Sequence, residues 1–368
     1  MKKIGVGVIG ASPLRPGWAL TAHLPAIAAL PDYELRAVAT SSKDSARAAE
    51  AKFAVPGFAD PAALIARDDV DLVVITVKLA HHYRLVASAI AAGKKVMCEW
   101  PLGADIDQTS ALADLASNTG TSNFIGLQAR MAPSVRYARD LVAEGYVGEV
   151  LATTLVGSGI AWTSKSDAAH AYMFDVAENA TLLSVPTMHA VDALQFVLGD
   201  LVDIRAASAV RRPVVTLVDI DKEIRSTTPD HLALAATLES GAIASIFYRG
   251  GVSRGDNLRW EINGSEGDLV LTSPVGNLQV LAPTLAGGRG HDTTVVPLKI
   301  PSKYDLAPGI PDGPSANVAR LYAAFATDQH NKTPAAQAPD FAHALRLHRK
   351  LDAIRLAASS GISQAPSK

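Results

Sequence analysis

The sequence predicts an α/β protein with two domains, in which a parallel sheet comes first and a mostly antiparallel sheet second. Three observations predict this fold. Short apolar runs alternate with helical patterns over the first third of the chain, a glycine turn follows the first run, and alternating β-branched runs dominate the later part. Apolar strands that are separated by helices indicate a parallel sheet covered on both faces.

The first domain is predicted to span residues 1–126. Pro31 stops its first helix, Asp60 and Pro61 begin a short one as N-cap and first-turn proline, and Gly93 ends another. A further helix is capped near Asp105. The predicted strands are 3–10, 34–40, 72–77, 95–99 and 123–128, and the longer predicted helices are 19–30, 44–53 and 82–92.

The second domain is predicted to span residues 127–368. Its alternating runs indicate a mostly antiparallel sheet, and a tail over 316–358 is rich in helical patterns. The Gly- and Pro-rich segment 285–314 is predicted to form loops around one short strand, 293–300. The other predicted elements are helices 135–144 and 187–198 and strands 206–211, 232–238, 242–248, 258–262 and 269–272.

The composition argues against several classes of function. The 368 residues are 48% hydrophobic and 19% charged with a net charge of −2, so a large core is expected and neither nucleic acid nor an anionic membrane is an expected partner. The single cysteine, Cys98, lies in an apolar run and suits a reducing compartment. No apolar stretch is expected to reach membrane-spanning length, and a cytoplasmic location is the expectation.

A phosphate-binding turn is predicted at Gly10. Gly5 and Gly7 complete a literal G-x-G-x-x-G with it, but both lie among Ile and Val residues inside the first strand, so the turn begins at Gly10. The loop continues through Ala11 and Ser12, with Ser12 where a second glycine is usual. A helix follows, and its N-terminal N–H groups suit a pyrophosphate. Strand, loop and helix in this order predict dinucleotide binding.

The end of the second strand favours NADP over NAD. An acidic residue there would hold the adenosine ribose, whereas this chain has Thr40, Ser41, Ser42 and Lys43, with Arg47 one helical turn on. Small hydroxyls and cations suit a 2′-phosphate. The alternative is that Ser42 only caps the next helix while the two cations are solvated.

Several motifs from both domains occur in one order, and together they resemble the family of glucose-fructose oxidoreductase and inositol dehydrogenase, called Gfo/Idh/MocA. The resemblance covers roughly residues 3–275. It implies a Rossmann dinucleotide-binding domain, a C-terminal α+β domain with an open-faced sheet, NAD or NADP, and a sugar or polyol substrate. The motifs are Gly10-Ala11, His23 to Ile27, Asp71 to Thr76, His82-Tyr83, Gly93 to Leu102, Gly145 to Glu149 and Asn263 to Gly267.

Within that family the chain is similar to a subgroup that contains the fungal galactose-pathway repressor and its bacterial relatives. Glu99-Trp100, the run Leu127 to Arg130 and the run from Tyr172 to His189 carry this likeness. Because that repressor binds a dinucleotide but works by protein contact, two functions stay open. One is an NAD(P)-dependent oxidoreductase, and the other is a dinucleotide-binding regulator that has lost catalysis.

Two departures from the family pattern affect proton transfer. Trp100 stands where the family has a lysine, and Val185 stands where it has an aspartate one helical turn before the catalytic histidine. His189 retains that histidine position, so the resemblance implies that it takes the hydroxyl proton. Asp192, at i,i+3, would orient His189 or bind a substrate hydroxyl; a structural histidine–aspartate pair is the alternative.

Other polar residues are candidates for the missing groups. Lys78 follows the strand 72–77, where open α/β sheets bind ligands, although a solvated loop lysine is the alternative. Tyr172 would donate a phenolic proton or pack against the sugar. Arg130 and Trp100 are predicted to contact substrate.

Three more residues complete the predicted cofactor site together with Trp100, which would cover the nicotinamide or stack against a sugar ring. They are Thr76, His82 and Glu99; a buried Glu99 needs hydrogen-bond donors from the cofactor ribose or nearby amides. No spacing indicates a metal site. The expected partner is a small-molecule sugar or polyol, and the resemblance implies a homodimer or homotetramer.

Overall fold

The computed structural model describes residues 2–331 and 338–366. The chain forms two compact units. The first unit contains residues 1–128 and 306–348, and the second contains 129–305 and 349–368. The first unit therefore ends its N-terminal stretch within two residues of the predicted boundary, but it takes a second stretch from the predicted C-terminal domain.

The first unit contains a six-stranded parallel sheet with strand order β3-β2-β1-β4-β5-β6. The order reverses between β1 and β4, as in Rossmann folds, which confirms the predicted fold of this part of the chain. The strands are β1 (Ile4–Ile9), β2 (Tyr33–Ala39), β3 (Gly57–Phe58), β4 (Leu72–Ile75), β5 (Lys95–Glu99) and β6 (Asn123–Gly126).

Helices connect these strands, and their ends follow from local sequence. Ser42, Asp60 and Asp105 each accept a hydrogen bond from a backbone N–H as N-caps, and Gly120 ends a helix in the left-handed conformation. The helices are α1 (Leu24–Ala29), α2 (Lys43–Phe53), α3 (Pro61–Ile65), α4 (His82–Ala91) and α5 (Ile106–Thr119).

The predicted first helix, 19–30, begins with a π-helical turn, Ala19–His23, before it continues as α1. Pro25 has no N–H, so the usual bond to the carbonyl four residues back is missing. At the junction the Leu24 N–H donates to the carbonyl of Ala19, five residues back. Pro25 thus explains a wider turn at His23.

The C-terminal stretch of the first unit contributes aromatic side chains to the Rossmann core. The Tyr322 ring lies edge-on to Tyr33 and Phe124, at centroid distances of 5.1 and 5.4 Å, and Phe325 stacks on Phe124 at 4.2 Å. Tyr322 belongs to α8 (Pro314–Asn331), and α9 (Phe341–Ser360) follows. Burial of these rings against β2 and β6 explains why residues 306–348 group with the first unit rather than the second.

The second unit is built on an eight-stranded sheet with the order β17-β16-β15-β14-β7-β13-β12-β9. Its described pairs are antiparallel except β7 with β13, so the predicted mostly antiparallel sheet is confirmed. The strands are β7 (Val150–Gly159), β9 (Leu201–Ala209), β12 (His231–Leu238), β13 (Ile243–Gly250), β14 (Leu258–Gly264), β15 (Gly267–Ser273), β16 (Thr284–Arg289) and β17 (Val296–Pro297).

A small sheet and two helices complete the second unit. The sheet has the order β11-β10-β8. Its strands are β8 (Lys165–Ser166), β10 (Val214–Leu217) and β11 (Lys222–Arg225), and the helices are α6 (Pro133–Ala143) and α7 (Met188–Leu198).

Sequence patterns missed the central strand β7. Its burial does not alternate cleanly, because Gly157, Ser158 and Gly159 are all buried at its end. Two glycines and a serine resemble a turn more than a strand, whereas pairing on both sides with β13 and β14 fixes the extended backbone. Only the two residues of β17 are extended within the predicted strand 293–300. The strand β16, which was not predicted, precedes it.

One face of the large sheet is open. Along β12, Leu232 and Leu234 are buried while Ala233 and Ala235 are exposed. The open face continues across cross-strand neighbours in two rows, Ala235, Ser245, Thr154, Glu261 and Ala233, Phe247, Val156, Arg259. The side chains in these rows are uncharged from β12 to β7, whereas β14 contributes the charged Glu261 and Arg259.

One described stretch, Val176–Leu198, is long and apolar enough to cross a membrane, contrary to the expectation from sequence. In its most apolar window, 72% of the stretch is buried inside the protein. A buried core helix passes the same test, and α7 forms the last 11 of the 23 residues in this stretch.

Candidate active site

The predicted turn at Gly10 has the geometry of a phosphate loop. Gly10 has a φ of +109°, which side-chain-bearing residues rarely adopt. A Cβ atom there would lie 2.7 Å from both the carbonyl oxygen and the hydroxyl of Thr76. The ends of β1 and β4 therefore approach each other at a point that only glycine fits. This close approach at the strand reversal fits a dinucleotide.

Thr76 ties the two strands together. Its hydroxyl donates to the carbonyl of Ile9 at 2.8 Å, and its backbone N–H donates to the same oxygen at 3.0 Å. Beyond the turn, Ala11 is fully buried and Ser12 is half-buried. Thr76 supports the turn from below, whereas Ser12 lies in the loop that would meet the phosphates.

The hydroxyls at the end of β2 bond to one another. Ser45 donates to Thr40 at 2.7 Å, and Ser42 and Ser45 form a capping box at the start of α2. Ser41 and Lys43 are exposed, and the exposed Arg47 pairs with Asp44. These contacts favour the capping role of Ser42 that the sequence left open as an alternative.

Glu99, at the carboxyl end of β5, has one carboxylate oxygen held inside the first unit. The Oε1 atom lies 2.9 Å from Nε2 of His23, whose side chain is fully buried. Within the described part of the chain, no group donates a hydrogen bond to Oε2, and the side chain is 16% exposed. Glu99 thus keeps an acceptor at the strand edge where such sheets bind ligands.

His82 joins the ends of β4 and β5. Its Nδ1 lies 2.9 Å from the carbonyl oxygen of Pro101, and its Nε2 lies 3.0 Å from that of Val77. The Cys98 sulfur is 3.4 Å from Nδ1. Burial lowers the pKa of His82 and raises that of the Cys98 thiol. Both ring nitrogens thus face carbonyl oxygens, and the neutral ring donates a hydrogen bond to only one of them at a time.

Trp100 and Lys78 follow these two strands. Trp100 is 4% exposed, and its ring lies 6.1 Å from that of His348. It precedes Pro101 in a cis peptide bond. Lys78 is exposed, immediately before a short helical turn, Leu79–His81. Both therefore follow the carboxyl ends of strands in the first sheet, and their contacts with a ligand stay predictions.

His189 lies near the start of α7 in the second unit and is 2% exposed. A π-helical turn, Leu183–Thr187, precedes α7 and contains Pro186. Since Pro186 has no N–H, the Leu182 carbonyl accepts from the Thr187 N–H at 3.2 Å and from its hydroxyl at 2.8 Å. Val185 is in this turn. His189 thus follows a π-turn that contains a proline, and His23 is the last residue of a π-turn that precedes one; such turns are frequent at functional sites.

Asp192, one turn after His189, pairs with Arg130 in the second unit. The Arg130 Nε donates to Oδ2 at 2.8 Å and its Nη2 donates to Oδ1. The Asp192 side chain is 0% exposed and that of Arg130 is 10% exposed. The Arg130 guanidinium also lies 5.0 Å from the centroid of the Phe196 ring. The two residues assigned to substrate binding are thus brought together, and that assignment stays a prediction.

Tyr172 lies in a 3-10 segment, Ala168–Phe174, of the second unit and is half-buried. Burial, with Glu178 and Asp167 nearby, raises the pKa of its phenol. The group is therefore a neutral phenol at ordinary pH and a reluctant proton donor.

Sequence reasoning gave no role to His23 or Tyr322. His23 was visible only as part of a motif, although a histidine among apolar residues just after the phosphate loop is a usable signal. No local sequence signal pointed to Tyr322, because its partner His23 is 299 residues away in the chain. Among the described residues, no group of three or more His, Cys, Asp or Glu side chains has the arrangement of a metal site.

The strand order, the Gly10 turn and the polar groups at the strand ends define a protein of the Rossmann nucleotide-binding class. Residues 4–126 match the sequence profile described as "Oxidoreductase family, NAD-binding Rossmann fold", and residues 133–273 match that of the "Gal80p, C-terminal domain". The chain belongs to the Gfo/Idh/MocA oxidoreductase family.

Relatives in this family include enzymes and a regulator. A dTDP-3,4-didehydro-2,6-dideoxy-α-D-glucose 3-reductase of Streptomyces violaceoruber is 30% identical over 76% of this chain and 77% of its own. Dehydrogenase aclE of Aspergillus oryzae is 27% identical over 77% and 81%. The galactose/lactose metabolism regulatory protein GAL80 of Saccharomyces cerevisiae is 25% identical over 84% and 76%.

Solved structures show the same fold. A super-repressor mutant of Gal80p from Saccharomyces cerevisiae has a TM-score of 0.86 at 22% identity and covers 99% of this chain and 97% of its own. Levoglucosan dehydrogenase in complex with NADH and L-sorbose has a TM-score of 0.84 at 19% identity and covers both chains fully, at 100%. The comparison with both supports an α/β fold with a second, mixed-sheet domain.

Proposed function

We propose that the protein is an NAD(P)-dependent oxidoreductase that acts on the CH–OH group of a sugar, a polyol or a related secondary alcohol, or on the corresponding ketone. The observation that carries the proposal is the Glu99 carboxylate, which is held through one oxygen by His23 and has its other oxygen at the ligand-binding edge of the sheet. A sugar reductase and a sugar dehydrogenase among the relatives support the substrate class.

The residues that would hold the dinucleotide lie at the ends of β1, β4 and β5. The Gly10 turn, with Ala11 and Ser12, would accommodate the pyrophosphate, and Thr76 supports that turn. Glu99 would accept hydrogen bonds from the nicotinamide-side ribose. When bound, the cofactor accepts or supplies the hydride.

The proton of the substrate hydroxyl is assigned to His189, which would take it in oxidation and return it in reduction. The Arg130–Asp192 pair one turn away would fix the local backbone of α7 and carry the predicted contact to substrate. Lys78 and Tyr172 stay as the predicted replacements for the absent family lysine and aspartate. Of the two, the exposed ammonium is the better source of charge stabilisation, because burial raises the pKa of the phenol.

For the cofactor, we propose NADP rather than NAD, because two cationic side chains follow the second strand. Lys43 and Arg47 are exposed and would reach a 2′-phosphate, whereas Thr40, Ser42 and Ser45 bond to one another, so the two cations carry the prediction. A relative solved with NADH supports use of the non-phosphorylated cofactor within the fold. Replacing Lys43 and Arg47 by glutamine should weaken NADPH binding about tenfold or more and leave NADH binding unchanged if NADP is used.

A regulatory function is the second candidate. Trp100 and Val185 replace two family groups that handle protons, and the likeness to a galactose regulator covers most of the chain. On this proposal the dinucleotide site remains while turnover is absent, and the partner is a protein.

We also propose that the open sheet face joins two copies of the chain in a homodimer or homotetramer. Ser245, Thr154 and Phe247 lie on this face without charge, and the neighbouring Arg259 and Glu261 pair with each other. Phe247→Glu should give a monomer in sedimentation, whereas Leu151→Glu, a change on the same strand pair but outside the two rows, should not.

The deciding experiment is a screen of the purified chain with NADP⁺ and NAD⁺ against sugars and polyols, and with the reduced cofactors against the corresponding ketones. Nicotinamide absorbance is the readout. On the enzyme proposal, at least one substrate changes the absorbance and His189→Ala lowers kcat about a hundredfold or more. Binding of the cofactor without turnover on any substrate, together with a His189→Ala variant that behaves like wild type, would favour the regulator.

A further inference from the structure

We propose that His23 and Tyr322 are positioning residues that hold the Glu99 carboxylate at the nicotinamide half of the dinucleotide site. This inference rests on the proposed function. It concerns a chain of three buried or half-buried polar groups that ends at the ligand-binding edge of the first unit.

The chain of contacts has a definite direction. Tyr322 Oη lies 3.0 Å from Nδ1 of His23, and Nε2 of His23 lies 2.9 Å from Oε1 of Glu99. An ionised carboxylate only accepts hydrogen bonds, so Nε2 donates. In the neutral imidazole, Nδ1 then accepts, and the Tyr322 hydroxyl donates to it. Every donor in the chain therefore points towards Glu99.

Burial makes this direction stable. His23 and Tyr322 are fully buried, and burial raises the pKa of the Tyr322 phenol well above its ordinary value. The phenol therefore keeps its proton and remains a donor. Because water does not reach either ring, each group depends on the other to satisfy its hydrogen-bonding capacity.

The Glu99 carboxylate is also confined from the side of β6. Gly126 pairs with Glu99 across the strands, and a Cβ atom at Gly126 would lie 2.5 Å from Oε1. The carboxylate thus lies directly over the backbone of Gly126. With His23 on one oxygen and Gly126 beneath it, the orientation of Oε2 is set before any ligand arrives.

Strand order assigns Glu99 to the nicotinamide half. In a Rossmann sheet, the strands on either side of the reversal each hold one mononucleotide, and the end of the second strand addresses the adenosine ribose. Here β1, β2 and β3 form that adenosine half. The half with β4, β5 and β6 remains for the nicotinamide nucleoside, and Glu99 ends β5.

The test compares binding of NADH and of ADP, which lacks the nicotinamide nucleoside, to the full chain by calorimetry; NADPH and 2′,5′-ADP replace them throughout if the wild type binds NADPH more tightly. The variants are Tyr322→Phe and Glu99→Gln. Tyr33→Phe is the matched control, because the Tyr33 hydroxyl donates to the backbone carbonyl of Tyr322 at 2.7 Å within the same aromatic cluster but takes no part in the chain to Glu99.

We expect Tyr322→Phe to weaken NADH binding about threefold to tenfold and to leave ADP binding within about twofold. Tyr33→Phe should change neither, although both variants lose one buried hydrogen bond and should have similar unfolding midpoints. In the Glu99→Gln background, Tyr322→Phe should cause no further loss of NADH affinity, since the group that it positions has been altered.

Equal losses for NADH and ADP in Tyr322→Phe, or the same pattern in Tyr33→Phe, would overturn the inference and reduce the chain to core packing. If Tyr322→Phe fails to fold, His23→Gln replaces it, because glutamine keeps an N–H donor and should retain part of the NADH affinity while His23→Leu should not. A wild-type chain that binds neither NADH nor NADPH would instead refute the proposed function itself.

Discussion

The guanidinium of Arg130 engages both carboxylate oxygens of Asp192 inside the second unit. The Asp192 side chain is fully buried, and that of Arg130 is 10% exposed. Two parallel N–H···O bonds fix both the distance and the plane of the pair, which a lysine at 130 would not do. The backbone of α7 next to His189 is therefore anchored by a charge pair.

Breaking this pair should be costly. Asp192→Asn leaves a mostly buried guanidinium without its carboxylate, so we expect the free energy of unfolding to fall by about 3–5 kcal/mol in urea titrations. Arg205→Gln is the control, because the Arg205–Asp203 pair is largely exposed, and it should cost about 1 kcal/mol or less. Similar losses in the two variants would contradict a buried, coupled pair.

The buried imidazole of His82 should make the free energy of unfolding depend on pH. Burial lowers the folded-state pKa of His82 below its ordinary value of 6.5, so the unfolded chain binds this proton more readily than the folded chain. Stability is therefore retained above pH 6.5 and is lost as the pH falls below it, by up to about 1.4 kcal/mol per pH unit for this one group.

Urea titrations over this pH range measure the effect. His82→Gln should be less stable than wild type near neutral pH but should show a shallower decline towards acid. His81→Gln changes the exposed neighbouring histidine and should keep the wild-type slope. Parallel pH profiles for wild type and His82→Gln would show that His82 does not cause the pH dependence of stability.

The Gly10 turn predicts a contrast between two glycines. Gly10→Ala forces a side chain into a φ of +109° and against Thr76, and should abolish measurable dinucleotide binding while lowering stability by about 1–3 kcal/mol. Gly17→Ala in the same loop has open space around the new Cβ and should bind like wild type. Calorimetry with NADH and NADPH checks both, and normal binding by Gly10→Ala would rule out the proposed phosphate turn.

Gly126→Ala probes the Glu99 carboxylate oxygen that also contacts His23. The added methyl would approach Oε1 of Glu99 to 2.5 Å, so the flexible carboxylate must move rather than the backbone. We expect NADH affinity to fall about tenfold, with ADP affinity and the unfolding midpoint nearly unchanged. An unaltered NADH affinity would mean that the orientation of Glu99 does not matter for binding.

Local sequence rules predicted most of the first unit. The bounds of β5 agree with the predicted 95–99, and Asp60, Gly93 and Asp105 mark helix ends as expected. These features depend on caps and on apolar runs that act within a few residues. Gly10, Thr76 and Glu99 lie at the ends of β1, β4 and β5, and their role in cofactor binding stays a prediction.

What the sequence did not reveal depends on contacts between distant residues. The strand β7 is fixed by its neighbours β13 and β14, and its glycines oppose the strand assignment locally. The pairing of Arg130 with Asp192 joins α7 to a segment 62 residues earlier, and no periodicity encodes it. Residues 306–348 were predicted to belong to the second domain, but they belong to the first unit. A helical sequence pattern does not indicate which hydrophobic core the helix will pack against.

That return has a consequence for dissecting the gene. A fragment that stops at Gln128 would encode all six strands of the Rossmann sheet yet leave Phe124 and Tyr33 without the rings of α8, and His23 without its phenol partner. Such a fragment is expected to fold poorly and to aggregate, unless residues 306–348 are fused to it or co-expressed with it. Truncation before α8 should therefore disturb the helical segment after the phosphate loop, because His23 in that segment would lose its contact with Tyr322.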